Sequence, residues 1–235
     1  MMSVLIIAEF QPTSLQIKVF SPIRVACVGD SITAITGYPS DLQKLLGANY
    51  IVGNFGHSGA TVELNTWCPY MNQSEFEEAL EFQPEIVVIM LGTNDDHSWA
   101  IPYNESFEYD YTALITSFQQ LDNSPRIWLV KPPPIFNNSL GLSNTYFSEN
   151  IIPQIQDVAN KLNLTTIDVY SAFGNHADYF ADGVHPNSQG AELIANEVYN
   201  AIKSPDNQNQ APSVFAIQIA RARSKYISKY LDNGN

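Results

Sequence analysis

Basic residues are scarce. Eleven Lys and Arg stand against 24 Asp and Glu, which leaves a formal net charge of −13. Binding to a phosphate backbone or an anionic membrane surface needs a positive field, so nucleic acid is not an expected partner. Long apolar runs are missing too: no stretch approaches the roughly 20 residues of a membrane span. The opening MMSVLIIAEF has no basic n-region, and its apolar stretch Val4 to Ala8 is shorter than a signal-peptide core. The chain as written is therefore expected in the cytoplasm, or outside the cell if a leader has been trimmed.

Cysteine is almost absent. Cys27 lies inside an apolar run and Cys68 in a loop-like stretch after Trp67, so one disulfide is conceivable but nothing requires it, and buried thiols are the expectation. There is no His-Glu-x-x-His, no paired Cys-x-x-Cys and no glycine-rich phosphate loop, which leaves no motif for a metal or nucleotide. No cofactor is expected.

What is present is an ordinary globular composition, 45% hydrophobic and 15% charged over 235 residues, enough for one α/β domain with a sizeable core. Apolar, β-branched runs at Ile23 to Val28, Tyr50 to Val52, Glu85 to Leu91, Arg126 to Val130 and Leu164 to Val169 predict five strands. Helical patterns fall between and after them, at Pro39 to Leu46, Ser74 to Phe82, Ser106 to Leu121, Phe147 to Leu162 and Ser188 to Ile202. Such alternation is the signature of a parallel sheet. The run Ile86 to Leu91 is apolar throughout, which suits a central strand covered on both faces. Ser74-Glu75-Phe76-Glu77 reads as a capping box, and Gly47 as a left-handed helix end.

The domain is expected to span 23–203. Residues 1–22 form an N-terminal extension that would serve as an edge strand or an arm, and 204–212 (SPDNQNQAP) read as a linker. Over 213–235, Phe215, Ile219, Ala222, Tyr226 and Tyr230 mark one apolar stripe of a helix. Four basic and two acidic residues fall in 205–235, so this amphipathic helix is suited to clamp onto the acidic body or onto a second subunit as a homo-oligomer.

Chemistry concentrates at four places. In Val25-Ala-Cys-Val-Gly29-Asp30-Ser31 a buried strand runs into a turn that presents a hydroxyl at the carboxyl end of the sheet, where open α/β folds carry their sites. Gly29 is expected to let the backbone turn sharply. A serine there can equally cap a helix. The others are Asn54-Phe-Gly56-His57-Ser58-Gly59, Gly92-Thr93-Asn94-Asp95 and Asp182-Gly183-Val184-His185. A serine nucleophile needs a base; His185 can supply it, with Asp182 accepting its other ring N–H, although an Asp-x-x-His loop can also be a plain hydrogen bond or half a metal site.

With these four blocks in this order, the chain resembles the SGNH (GDSL) hydrolase family over about residues 23–203. The resemblance implies a three-layer α/β/α sandwich of flavodoxin-like topology around the five-stranded parallel sheet. It implies Ser31, His185 and Asp182 as catalytic residues, and an oxyanion hole from the Ser31 N–H, the Gly59 N–H and the Asn94 amide. Asn94 could instead stitch two loops. Asp30, Asn54 and Asp95 are expected to brace loops, His57 and His97 flank the blocks, and His176 has no evident partner.

LGTNDDHSW at 91–99, VKPPPIF at 130–136 and DGVHPNSQG at 182–190 resemble the sialate O-acetylesterase and acetylxylan esterase-like branch, with Asp96-His97-Ser98-Trp99 where those relatives carry a longer polar insert. The expected substrate is thus a small-molecule or carbohydrate ester bearing short acyl groups. Trp67, Tyr70 and Trp99 can stack on sugar rings or anchor loops, and Pro132-Pro133-Pro134 should form a stiff pocket wall. Alternatives are a lipase or thioesterase for longer acyl chains and a non-catalytic carbohydrate-binding module.

Overall fold

The computed structural model describes residues 21–95 and 106–204. The amphipathic helix at 213–235, most of the linker and the N-terminal extension, and the residues His97 and Trp99 lie outside them.

Five parallel strands, β1 (Ile23–Gly29), β2 (Tyr50–Gly56), β3 (Ile86–Met90), β4 (Arg126–Lys131) and β5 (Thr165–Asp168), lie in the order β2-β1-β3-β4-β5. Alternation along the strands divides the core in two. Val25, Cys27, Ile86, Val88, Trp128 and Val130 face one way. They meet α1 (Ser31–Ile35), α2 (Tyr38–Leu46), α7 (Val169–Phe173) and α8 (Ser188–Lys203). Ala26, Val28, Val87, Ile89, Ile127 and Leu129 face the other way, against α3 (Ser74–Glu81), α4 (Phe107–Gln119), the short α5 (Asn144–Tyr146) and α6 (Ile152–Leu162). This is the three-layer sandwich that the resemblance implies. All five residues of β3 are buried, as its unbroken apolar run predicts.

Local chemistry explains the element ends, and in four places corrects the expectation. Ser74 is not a capping residue: Gln73 precedes the helix without a side-chain cap, and the Ser74 hydroxyl donates to Glu75. The chain enters α3 from a tight turn in which Gln73 N–H bonds Tyr70 carbonyl, so helix geometry starts one residue too early for a box. Gly47 does end α2 with a positive φ of 74°, but its ψ of −169° lies in an extended region that is essentially glycine-only. The helix expected over Phe147 to Leu162 contains a wide turn at Phe147–Ile151, with Ile152 N–H bonding Phe147 carbonyl. Pro153 explains it, because its ring cannot pack against the carbonyl four residues back in a regular helix. Finally, Gly29 does not serve by turning the backbone: its φ is not positive. A methyl there would lie 2.1 Å from Thr33 Oγ1 and 2.7 Å from the Met90 carbonyl oxygen, so glycine is required for close packing of α1 on β1 and β3.

Strand order reverses at β1, whose connections leave toward β2 on one side and return to β3 on the other. The loops leaving β1, β2 and β3 therefore converge at one point of the carboxyl edge, as open α/β folds dictate. Both cysteines are free and buried, and among the described residues no helix is long and apolar enough to cross a membrane.

Candidate active site

Ser31 is the first residue of α1, directly beyond β1. Asp30 caps that helix: its Oδ1 accepts the Ile32 N–H at 2.9 Å, which holds the turn that presents the hydroxyl. Asp30 is 1% exposed, and its other oxygen has no hydrogen-bond partner among the described residues. Burial pushes its carboxyl up to about 6, against the pull of the Ile32 N–H, the nearby Thr93 hydroxyl and His185.

His185 reaches Ser31 from a loop 154 residues further on. Its Nε2 lies 2.8 Å from Ser31 Oγ, and its Nδ1 lies 2.7 Å from Asp182 Oδ2. Asp182 also accepts the backbone N–H groups of Val184 at 3.0 Å and His185 at 2.7 Å through Oδ1. Partial burial opposes its charge, but the hydrogen bonds from His185 and Val184 prevail and hold the carboxyl down to about 2. One aspartate thus folds the turn and orients the imidazole.

The turn is fastened from outside. Gly183 takes φ +85° and its carbonyl accepts the Phe136 N–H at 2.7 Å, from the segment that follows the buried prolines 132–134 at the end of β4. Beyond it, Asn187 caps α8 through Gln189 and Gly190 N–H and donates to Asp178 carbonyl.

The opposite wall comes from the loops after β2 and β3. Gly59 has φ +81°, and its neighbour Ala60 donates to His57 carbonyl while His57 N–H bonds Gly29 carbonyl at 2.9 Å. The Asn94 amide donates to Ala60 carbonyl at 3.0 Å, so it does stitch two loops, and among the described residues no acceptor takes its second N–H. Asp95 completes the stitch: it is 1% exposed and accepts Val62 and Glu63 N–H, each at 3.0 Å. Burial pushes Asp95 up to about 7 despite these bonds, with the charge of Glu63 adding to the rise. Among the described residues no protein acceptor takes the Ser31 or Gly59 N–H.

Asn54 braces as expected, bonding Ala34 carbonyl and Gly56 N–H. His57 pairs with Glu75 at 3.0 Å. His176, which the sequence leaves without a partner, stacks on Tyr179 and meets Asp178 at 3.3 Å. Tyr70 is no sugar platform: it is fully buried, with its hydroxyl donating to Phe55 carbonyl at 2.7 Å. Trp67 stays 72% exposed. The Phe136–Gly183 clasp and the Leu64 N–H bond to Asp110 at 3.0 Å escaped sequence reasoning, since partners 46 or 47 residues apart leave no local signal.

Residues 27–193 match the GDSL-like lipase/acylhydrolase family. An acetylxylan esterase of Xylanibacter ruminicola is 35% identical over 207 residues, covering 77% of this chain and 43% of that protein. The GDSL esterase/lipase CPRD49 of Arabidopsis thaliana is 25% identical over 151 residues, covering 56% of this chain and 59% of that protein. The chain spans about half the length of these two relatives. Among solved structures, the carbohydrate acetylesterase Est24 of Sinorhizobium meliloti superposes with a TM-score of 0.62 at 16% identity, over 77% of this chain and 98% of its own. The acetylxylan esterase Axe2 of Geobacillus stearothermophilus does so with 0.59 at 22% identity, over 82% and 100%. At these identities the structures speak for the fold alone.

Proposed function

Because this chain belongs to the GDSL-like lipase/acylhydrolase family, we propose that it is a serine esterase that removes acetyl groups from carbohydrates by way of an acyl-enzyme. The observation that carries this reading is the unbroken chain of short contacts from Asp182 through His185 to Ser31 Oγ, 2.7 and 2.8 Å long.

His185 Nε2 takes the proton as Ser31 Oγ adds to the acetyl carbonyl. Asp182 keeps Nδ1 protonated and stabilises the imidazolium that forms. The developing oxyanion is met by the Ser31 N–H, the Gly59 N–H and the second Asn94 N–H, donors worth about 3 kcal/mol each in comparable sites. Collapse expels the sugar hydroxyl, which receives the proton from His185. Water, deprotonated by the same nitrogen, then attacks the acetyl-serine, and acetate leaves as Ser31 regains its proton. No step calls for a cofactor. An acetyl substrate is supported by the acetylxylan esterase relative, and the deficit of basic residues suits neutral sugars.

Acetate release from acetylated xylan and acetylated sialic acid, beside simple acetyl and octanoyl esters, tests the substrate. Ser31→Ala is expected to lower turnover by at least about 10³-fold with an unchanged melting temperature. Residual turnover near the wild-type rate would overturn the assignment.

A further inference from the structure

The loop between β2 and α3 carries the most exposed large apolar side chain among the described residues, Trp67 at 72%. That loop is not loose. Thr61 N–H bonds Cys68 carbonyl at 3.0 Å and Tyr70 N–H returns to Thr61 carbonyl at 2.9 Å. The Thr61 and Thr66 hydroxyls both bond the Glu63 carbonyl, while Asp95 and Asp110 hold the N–H groups of Val62, Glu63 and Leu64. The backbone that carries the indole is therefore held at a fixed place, and most of the ring adds no burial to the fold.

That place is beside Gly59. A methyl on Gly59 would lie 2.6 Å from Trp67 Cη2 and 3.1 Å from Cζ2, so the six-membered ring lies against the glycine Cα. Glycine is needed there by its φ of +81°. Whatever rests on the open part of the indole is thereby held next to a donor proposed for the acyl oxygen.

We infer that Trp67 is a saccharide subsite, a platform on which a neutral pyranose stacks its C–H face while its acetyl group reaches Ser31. Indole faces suit such apolar ring faces and exclude water, and a net charge of −13 favours a neutral sugar over an acidic one. The inference rests on the acetylesterase reading and adds the residue that selects the alcohol side of the ester.

The test compares Trp67→Ala and Trp67→Phe with wild type on acetylated xylo-oligosaccharides, p-nitrophenyl acetate and ethyl acetate. Trp67→Ala should lower the ratio of kcat/KM for the oligosaccharide to that for ethyl acetate about tenfold, through KM, and Trp67→Phe should restore most of it. An unchanged ratio overturns the subsite, as does a loss confined to p-nitrophenyl acetate, which would mark an aryl site. An equal loss on oligosaccharide and ethyl acetate also overturns it, since Trp67 would then act only by holding Gly59. Calorimetric binding of xylo-oligosaccharide to Ser31→Ala, with and without Trp67→Ala, separates the two claims. A tenfold weaker Kd supports the subsite even if wild type hydrolyses none of the esters, an outcome that would count against the esterase reading alone.

Discussion

Gly183→Ala probes whether the turn that carries Asp182 and His185 sets the geometry at Ser31. Gly183 sits at φ +85°, a conformation an alanine adopts at about 1 to 2 kcal/mol. Its methyl would fall 2.3 Å from the Asn137 carbonyl oxygen and 2.8 Å from the carbonyl carbon, whereas non-bonded heavy atoms rest at about 3.5 Å. Both closest atoms are backbone, so no side chain can swing aside and the turn must retreat by roughly 1 Å. The 2.7 Å bond from Phe136 N–H to Gly183 carbonyl is lost with it, a further 0.5 to 1.5 kcal/mol or about that. The expected destabilisation is about 3 kcal/mol, read from the urea midpoint at constant m-value. The same retreat lengthens the 2.8 Å contact of His185 with Ser31, and a displacement of that size costs about 100-fold in turnover. Gly141→Ala is the comparison, because Gly141 has φ +80° but nothing within 4 Å of a new methyl. It should lose about 1 kcal/mol and no turnover. If Gly183→Ala behaves like Gly141→Ala in both measurements, the clasp between the β4 and β5 loops does not position the histidine.

Asp182→Asn can keep both backbone bonds through its remaining oxygen, but its amide meets His185 Nδ1 with a donor; kcat should fall about 10³ to 10⁴-fold with a modest drop in melting temperature, since the charge that the fold favours is gone, and a loss under tenfold would show that the carboxylate does not set the tautomer. The buried acids predict the pH dependence of stability. Asp30 and Asp95 are pushed up to about 6 and 7 by burial, so in the unfolded chain they ionise near pH 4 while the fold resists. Their contribution is complete below about pH 4 and is lost as pH climbs through 6 and 7. Asp182, held down to about 2, works the other way, and its contribution disappears only as pH falls from about 4 toward 2. Melting temperature should therefore drop between pH 5 and pH 8, and Asp30→Asn should flatten that drop; a rise over this interval would contradict the assignment.

Much of this molecule is written locally. The fully apolar run at 86–91 suits a strand covered on both faces and is one, and β1, β2, β4 and β5 begin within a residue of where branched apolar runs begin. Asn187 and Asp30 cap helices through bonds to residues two or three positions away, and the Asp182 turn closes on itself over three residues. Periodicity, propensity and short side-chain bonds act over a few residues, so they are legible without a fold. Sequence reasoning failed where a residue answers to something distant. Gly29 looked like a turn glycine and is one for packing, because Thr33 and the Met90 carbonyl occupy the space. For Tyr70 the sequence left sugar stacking and loop anchoring open, and burial on the Phe55 carbonyl decides for the anchor. Ser74 looked like a cap until the turn at Tyr70–Asn72 started the helix early. The approach of His185 to Ser31 across 154 residues and the Asp95 stitch across 33 exist only once strand order has brought the loops of β1, β2, β3 and β5 to one edge. Such contacts depend on where the sheet places whole segments, and no spacing along the chain encodes that.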